Sequence, residues 1–252
     1  MSDDPAHLIV ARDLTIGYGN RIVLDRVNFT VRRGEVFTIL GASGSGKSTL
    51  LKHLIGLYRP VSGEVLISGE NLVEADGADR LRILRKFGVL YQGAALFGSM
   101  NTVENVRLPL DEFTELSEVA KDLIALSKLR LVGLESAATR MPADLSGGMQ
   151  KRAGIARAIV LDPCILFLDE PSAGLDPITS ADLDALIKEL AHGLGMTFVV
   201  VTHELASIFT IADRAIVLDP HTRSIVAEGP PAYLREHATQ PWVRQFLNRQ
   251  TS

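Results

Sequence analysis

The sequence has a single cysteine, no apolar run of membrane-spanning length and no excess of positive charge. Cys164 alone cannot form an internal disulfide and is typical of a reducing compartment. Hydrophobic residues make up 46% of the 252 residues, but the longest apolar runs, 165–168 and 198–201, have strand length. The acidic start, 2–5, lacks the positive region of a signal peptide. We therefore expect a cytosolic protein whose membrane link comes through a partner.

The formal net charge of −4 gives no reason to expect nucleic-acid binding. What the sequence does contain is a change of pattern along the chain. Short β-rich segments at 8–10, 14–16, 22–24 and 27–31 are separated by glycine-containing turns, which predicts antiparallel strands. Continuous apolar strands follow at 36–40, 165–168 and 198–202, with helical patterns at 47–57, 180–192 and 204–211. This alternation predicts an α/β fold with a parallel sheet covered on both faces.

Helical spacing also prevails between 96 and about 161, in the segments 103–106, 116–131 and 147–160. Because this stretch separates two strands of the predicted sheet, we interpret it as an inserted helical subdomain. The predicted organisation is one domain over 1–252, with a core at 1–95 and 162–229 and a tail of two short helices at 230–252.

A glycine-rich loop lies between the strand at 36–40 and the helix that starts near Lys47. It matches the P-loop pattern, in which backbone N–H groups and a helix N-terminus form a nest for phosphates. Lys47 is expected to reach the β- and γ-phosphates of ATP, and the Ser48 hydroxyl to bind Mg²⁺. The predicted ATP-binding residues of the loop are Gly41, Ala42, Ser43, Gly44, Ser45, Gly46, Lys47, Ser48 and Thr49. A chance glycine-rich turn is the alternative, and the strand–loop–helix context disfavours it.

Two carboxylates end the apolar strand at 165–168. Asp169 is placed to help hold Mg²⁺, as the equivalent acid does in P-loop enzymes. Glu170, one residue on, points to the opposite side and could orient or deprotonate an attacking water. A strand that ends in solvated acids is the simpler alternative, and the preceding P-loop favours the catalytic interpretation.

The segment 145–152 resembles the signature motif of ABC ATPases, and further motifs in the same order extend that resemblance over essentially the whole chain. Tyr18 resembles the aromatic residue that stacks on adenine, and Gln92 the glutamine that touches Mg²⁺ and water. His203 resembles the switch histidine, and 172–176 resembles the D-loop. By themselves these residues have ordinary alternatives: a hairpin cap for Tyr18, a strand end for Gln92 and a helix cap for His203. Lys151 and Arg152 are expected to face solvent.

The resemblance implies that the protein works as a homodimer with two ATP molecules and Mg²⁺. In that family, the residues matching Ser146, Gly147 and Gly148 of one subunit bind the γ-phosphate held by the other subunit. The D-loop residue Asp176 lies at the same interface. Glu170 and His203 are then the catalytic residues, and Ser48, Gln92 and Asp169 the Mg²⁺ ligands.

Short motifs resemble, more narrowly, the ATPases of MCE-type phospholipid transport systems. They are 91–97 and 101–106, Met149 in the signature, Pro177 after the D-loop, and the tail at 242–247, although Tyr91 stands where a phenylalanine is expected. This resemblance implies a membrane permease dimer, a periplasmic MCE-domain protein and a STAS-domain protein as partners. It also implies a place at the cytoplasmic face of the inner membrane, held through the permease.

Three alternatives stay open at this point. An ABC importer for a small polar solute would carry the same ATPase motifs. A non-transport ABC scaffold would too, whereas translation factors of this family carry two cassettes in one chain. A P-loop kinase gives no account of the segment 145–148.

Overall fold

The computed structural model describes residues 6–248, so the predicted domain and tail residues at 1–5 and 249–252 lie outside the described residues. The strands are β1 (His7–Tyr18), β2 (Arg21–Arg32), β3 (Val36–Gly41), β4 (Ser62–Ile67), β5 (Glu70–Asn71), β6 (Phe87–Leu90), β7 (Ile165–Asp169), β8 (Thr197–Val201), β9 (Arg214–Asp219) and β10 (Ser224–Gly229). The α-helices are α1 (Lys47–Leu54), α2 (Gly77–Leu84), α3 (Thr102–Phe113), α4 (Glu118–Leu131), α5 (Gly147–Ala158), α6 (Pro177–Lys188), α7 (Leu205–Ile211), α8 (Pro231–His237) and α9 (Pro241–Leu247). Within the described residues, no helix combines the length and the apolar character needed to span a bilayer.

The antiparallel strands predicted at the start of the chain are β1 and β2, which lie in a sheet of order β2-β1-β4-β5. No strand was predicted at β4 or β5. The separate segments predicted at 8–10 and 14–16 are one strand, β1, whose register shifts between Ala11 and Leu14. Asp13 lies in this irregularity with a φ of 44°. Its N–H donates to Asn28 Oδ1 over 2.9 Å, and Asn28 Nδ2 donates to Asp13 Oδ1 over 3.0 Å. A side chain therefore replaces the ladder bonds that the bulge interrupts, which sequence spacing does not reveal.

The predicted parallel strands are β3, β7 and β8, in a sheet of order β10-β9-β3-β8-β7-β6. Val201 of β8 pairs with Ile39 of β3 on one side and with Asp169 of β7 on the other. The carboxyl ends of these three strands consequently meet at one edge, where ligands bind in open α/β sheets. The sequence analysis predicted no strand at β9 or β10, and β10 runs antiparallel to β9 at the edge of the sheet.

Alternate residues of the parallel strands face two different apolar clusters. In β7, Ile165 and Phe167 face the antiparallel sheet and α1, whereas Leu166 and Leu168 face the helices on the other side. The ring of Phe37 stacks on Phe29 of β2 at 5.7 Å between centroids. Each fully buried side chain of this kind contributes about 1.5–3 kcal/mol. The parallel sheet is thus buried on both faces, as its continuous apolar runs indicate.

The segment between the neighbouring strands β6 and β7 contains α3, α4 and α5, in agreement with the predicted helical pattern. Asn101 caps α3 reciprocally with Glu104, over 3.0 and 2.7 Å. The fully buried Asn105 bonds to the N–H and C=O of Phe97, which ties the loop before α3 to the helix. Two helix boundaries differ from prediction. The first helix ends at Leu54 and not at 57, and the helix predicted at 180–192 is α6 followed by a π-helical turn at Glu189–Gly193.

A buried arginine connects the two sheets. Arg214, at the start of β9, forms a bidentate ion pair with Glu35 at 2.6 and 3.2 Å. It also donates to the carbonyl of Thr30 in β2 over 2.7 Å and pairs with Glu228 in β10. Only 12% of the Arg214 side chain and 10% of Glu35 are exposed, so removal of one partner leaves the other buried without its counter-charge.

We expect the substitution Arg214→Met to lower the free energy of unfolding by about 3–5 kcal/mol, the range for breaking a buried ion pair. Thermal unfolding of the purified chain measures the effect. Arg82→Met is the matched control, because Arg82 pairs with Glu70 and Asp79 while 60% of its side chain is exposed. The control should change stability by about 1 kcal/mol or less. Equal losses in the two variants would contradict the role given to Arg214.

Candidate functional site

The glycine-rich loop follows the fully buried strand β3 and ends where α1 begins. Gly46 occupies the position before the helix with a φ of 98°. A Cβ atom at this position would lie 2.6 Å from Val23 Cγ1, so both backbone conformation and space favour glycine here. The loop is therefore wound into the curved path that directs N–H groups inward toward an anion.

The ammonium group of Lys47 lies inside this loop. Its Nζ donates to the carbonyls of Gly41 over 2.9 Å and Ala42 over 3.1 Å. Burial lowers the pKa of Lys47, and the nearby Glu170 and Asp169 carboxylates oppose that shift. A cation held over a nest of backbone donors is suited to binding phosphate oxygens.

Ser48 and Asp169 meet at the carboxyl edge of the sheet. Ser48 Oγ donates to Asp169 Oδ1 over 3.4 Å. Burial, and next the neighbouring Glu170 carboxylate, raises the pKa of Asp169, while the Ser48 bond opposes that rise. One hydroxyl and one carboxylate fit a Mg²⁺ ion, because Mg²⁺ keeps several waters and takes its remaining oxygens from phosphates. A cation at this point would also offset the cost of two adjacent buried carboxylates.

Glu170 has a left-handed backbone conformation, and among the described residues only one of its two carboxylate oxygens has a hydrogen-bond partner. Its φ of 48° lies in the left-handed region, which is uncommon outside glycine and costs on the order of 1 kcal/mol or more. Its Oε1 lies 2.9 Å from His203 Nδ1. Its Oε2 is buried without a hydrogen-bond partner in the described residues. One carboxylate oxygen is thus oriented by histidine, and the other is buried with an unused acceptor position.

Tyr18 lies at the end of β1, with 45% of its surface exposed. Its hydroxyl donates to Thr49 Oγ1 over 3.3 Å, and its ring meets the edge of Tyr58 at 5.5 Å between centroids. These two contacts hold the ring while leaving a face available for stacking. The stacking of Tyr18 on adenine stays a prediction, and its contacts with Thr49 and Tyr58 place the ring beside the P-loop helix.

A cavity of about 800 Å³ brings most of the predicted residues together. Its walls include Tyr18, 41–44, 46–49, Gln92, Glu170 and His203. Ser45 is absent from the walls because its side chain is 1% exposed and its Oγ is buried under the loop. Asp169 lies behind Ser48 and is not a wall residue either.

Six wall residues of this cavity were not predicted as site residues, and three of them, Arg21, Arg223 and Phe246, have long or aromatic side chains; the others are Ile22, Val23 and Pro220. Arg21 begins β2 just after the turn that follows Tyr18. Its proximity to Tyr18 in the sequence could therefore have indicated that it lies at the cavity. Arg223 lies in the turn between β9 and β10, and Phe246 lies on α9. Their place at the cavity follows from the packing of distant segments, which no local motif marks.

The signature and D-loop residues lie away from this cavity. Ser146 caps α5, accepting from the N–H of Met149 over 3.3 Å, and both Ser146 and Gly147 are exposed. Asp176 caps α6 by accepting from the N–H groups of Ile178 and Thr179 over 3.0 and 3.1 Å. None of these residues lines the cavity of its own chain within 6–248. Ser146 therefore has no phosphate to bind in cis.

The expectation that Lys151 and Arg152 face solvent is wrong. Lys151 is 5% exposed, and its Nζ donates to the main-chain carbonyls of Gln92 and Glu170. Arg152 is half-buried and donates to the carbonyl of Val132 over 3.2 Å. The helix α5 packs beside main-chain carbonyls of neighbouring segments, and long cationic side chains can reach them.

Comparison with known proteins agrees with this geometry. The family model described as "ABC transporter" matches residues 24–173. The chain is 41% identical to the "Intermembrane phospholipid transport system ATP-binding protein MlaF" of Escherichia coli (strain K12) over 98% of this chain and 91% of that protein. It is 42% identical to the "Probable ribonucleotide transport ATP-binding protein mkl" of Mycobacterium tuberculosis (strain ATCC 25618 / H37Rv) over 95% of this chain and 66% of that protein.

Among solved structures, the chain resembles the dimeric ATP-binding cassette MJ0796 in a post-hydrolysis state bound to ADP and Pi. The TM-score is 0.78 at 33% identity, over 88% of this chain and 98% of that chain. The likeness supports the α/β fold with a P-loop core that the sequence predicts.

Lys47→Ala tests the phosphate-binding role of the loop. We expect ATP affinity to fall roughly tenfold or more, because a charged donor to phosphate is lost. Titration of the purified chain with Mg·ATP, followed by calorimetry, measures this affinity. Lys188→Ala, at an exposed position near the end of α6, is the control that should leave it unchanged. An unaltered affinity in the Lys47 variant would show that the loop does not use this ammonium group.

Proposed function

Because the chain belongs to the ABC transporter family of ATP-binding subunits, we propose that it hydrolyses ATP in a two-fold dimer to drive phospholipid transport through a membrane permease. The observation that carries the catalytic part is the Glu170 carboxylate, which contacts His203 in the wall of the cavity that Lys47 also lines. A general base and a phosphate-binding cation thereby face one space. Phosphoryl transfer needs little more than such positioning and charge stabilisation.

In this proposal the P-loop N–H groups and Lys47 bind the phosphates, and Tyr18 stacks on adenine. Glu170 accepts the proton of the attacking water as its oxygen bonds to the γ-phosphorus and the bond to ADP breaks. His203 keeps the carboxylate aimed through its 2.9 Å contact. Mg²⁺, held by Ser48, Asp169 and Gln92, supplies positive charge against the phosphate oxygens when it is bound.

The proposed dimer rests on the residues that do not line the cavity of their own chain within the described residues. We assign Ser146, Gly147 and Gly148 to the phosphates of the second subunit, and Asp176 to the same interface. The N-terminus of the 12-residue helix α5 adds its partial positive charge to this second nest. Both motifs lie close together, since a Cβ atom at Gly148 would lie 2.3 Å from Thr179 Cγ2. Head-to-tail pairing then encloses two ATP molecules in one interface.

A second cavity, of about 440 Å³, is the proposed docking site for the permease. It lies between α2, β6, α3 and the residues after β6, and its walls include Tyr91, Phe97 and Phe113. These three aromatic side chains are 37%, 51% and 38% exposed. Exposed aromatic residues that surround a groove favour a protein contact. Gln92 lies next to Tyr91, so this groove and the ATP cavity border the same loop.

The proposed cargo and the remaining partners are inferred from similarity to other proteins. The similarity to the MlaF protein of E. coli supports a phospholipid as cargo. A periplasmic MCE-domain protein and a STAS-domain protein are proposed as partners from the resemblance of the short sequence motifs. The subunit would then lie at the cytoplasmic face of the inner membrane, attached through the permease. A second candidate cargo is a small polar solute, which the 42% identity to the mycobacterial protein favours. Identification of the membrane proteins that co-purify with the chain separates the two, because only the first predicts an MCE-domain protein.

Glu170→Gln tests the catalytic assignment. The amide keeps the shape of the side chain but cannot accept the proton, so we expect ATP binding to persist and kcat to fall roughly 10²–10⁴-fold. Steady-state phosphate release and Mg·ATP titration measure the two quantities separately. Glu204→Gln is the matched control, since Glu204 adjoins His203 and is 46% exposed. Near-normal turnover in the Glu170 variant would remove this residue from the mechanism.

Phe97→Asp tests the docking groove. The main chain of Phe97 is anchored by Asn105, so the substitution should alter the surface without unfolding the loop. We expect the complex with the permease to weaken roughly tenfold or more, as for a central aromatic contact. Co-purification with the tagged chain measures this, and ATP affinity should not change. Leu194→Asp, at a position 56% exposed and distant from the groove walls, is the control; equal recovery of permease by both variants would place the contact elsewhere.

A further inference from the structure

The helix α5 fastens the loop that follows β6. Arg157 donates to the carbonyls of Ala94 and Ala95 over 2.7 and 2.8 Å. Both alanines have a left-handed backbone, with φ values of 58° and 50°. The loop approaches the helix closely at Gly154, where a Cβ atom would lie 2.5 Å from Leu90 Cδ1 and 3.4 Å from Ala94 Cβ. The loop at 92–95 and α5 are therefore held together by packing and by charge-assisted bonds.

Lys151 extends this attachment across to the catalytic strand. Its Nζ donates to the carbonyl of Gln92 and, over 3.3 Å, to the carbonyl of Glu170. These two residues belong to segments on either side of the inserted helices, one after β6 and the other after β7. A single ammonium group thus connects α5, which Ser146 caps, to the loop at Gln92 and to the main chain of the proposed general base.

The Glu170 carbonyl is a sensitive point of attachment. The residue is held in a left-handed conformation, with its N–H donated to Val201 O over 2.8 Å. Its carbonyl accepts from Ala173 N over 3.2 Å as well as from Lys151. Rotation of this peptide would swing the side chain that faces the cavity. Strained backbone of this kind persists only where its surroundings hold it in place.

A second buried lysine, Lys121, is an example of a structural role and can be compared with Lys151. Lys121 of α4 is 8% exposed and pairs with the carboxylates of Asp111 and Glu118, each at 3.1 Å. Both of those partners belong to the helical segment. The hydrogen bonds of Lys151 go instead to two main-chain carbonyls of the ATP site. A buried cation is costly unless it is well bonded, so its use here points to a task at that site.

We infer that Lys151 is a positioning residue for ATP hydrolysis, which holds the main chains of Glu170 and Gln92 together and so aims the Glu170 carboxylate at the attacking water. The inference rests on the catalytic role proposed above for Glu170. It also gives the docking groove a physical route to the base, because the loop beside the groove and the Glu170 peptide share one donor. Movement of the loop at 92–95 would therefore shift the Glu170 carboxylate.

The test compares three variants of the full chain in steady-state ATP hydrolysis. Lys151→Met removes the donor but keeps the length of the side chain, and we expect kcat to fall roughly tenfold with KM for ATP within about twofold. Lys151→Arg restores a cation that can reach the two carbonyls, and should recover most of the lost turnover. Lys121→Met is the matched control, which removes an equally buried lysine and should keep kcat within about twofold of the parent.

A double-mutant cycle separates positioning from general destabilisation. If Lys151 acts through Glu170, then Lys151→Met should reduce single-turnover hydrolysis by less than about twofold when Glu170 is already glutamine. Thermal unfolding of each variant gives the stability change for comparison. Unchanged kcat in Lys151→Met, failure of arginine to rescue, or fully additive losses in the double variant would each overturn the inference.

The outcome also distinguishes this inference from the proposed function. If Glu170→Gln abolishes turnover while Lys151→Met does not, the general base stands and the positioning role fails. If Glu170→Gln itself turns over normally, the catalytic assignment fails first.

Discussion

The parallel pairing of β3, β8 and β7 is the constraint on which the site depends. Ile39, Val201 and Asp169 lie side by side in register, so the residues that follow each strand emerge at one edge. The phosphate loop, Glu170 and His203 are far apart in the chain, yet this edge brings them to the walls of one cavity, with Asp169 behind Ser48. Burial on both faces keeps the register, because a shift by one residue would turn every apolar side chain to the wrong layer.

Buried cationic side chains connect segments of the fold at points where the hydrogen bonds of sheets and helices end. Arg214 connects the two sheets through Glu35 and the Thr30 carbonyl. Lys151 and Arg157 do the same for α5, the loop after β6 and the Glu170 peptide. In each case the acceptors are carbonyls or carboxylates that the ladders and helices leave over. Because such groups are rarely left unpaired in the interior, each cation holds together two segments that are distant in the chain.

The helix α5 consequently joins surfaces with different tasks. In the proposed dimer its N-terminus presents Ser146 to a second subunit, and its middle and end are bonded to the loop between the ATP cavity and the apolar groove. A family of ATPases that moves membrane partners needs such a connection, since ATP can drive a movement only through contacts that differ between states. The contacts of Lys151 and Arg157 lie on that path.

Local patterns were sufficient for the elements with chemistry built into their spacing. The glycine loop, the apolar strand that ends in Asp169 and Glu170, and the helical spacing between β6 and β7 were all predictable, because each obeys a short-range rule. The burial of Lys151, the bulge at Asp13 and the approach of Arg223 and Phe246 to the cavity were not. The sequence by itself determined the class of fold and predicted most of the residues that line the cavity at the P-loop. Only the tertiary structure decided which cations are buried and which groups they bond. Their acceptors lie on segments that are distant in the chain. A main-chain carbonyl is present in every residue, so the amino-acid sequence does not indicate which carbonyl a cation will reach.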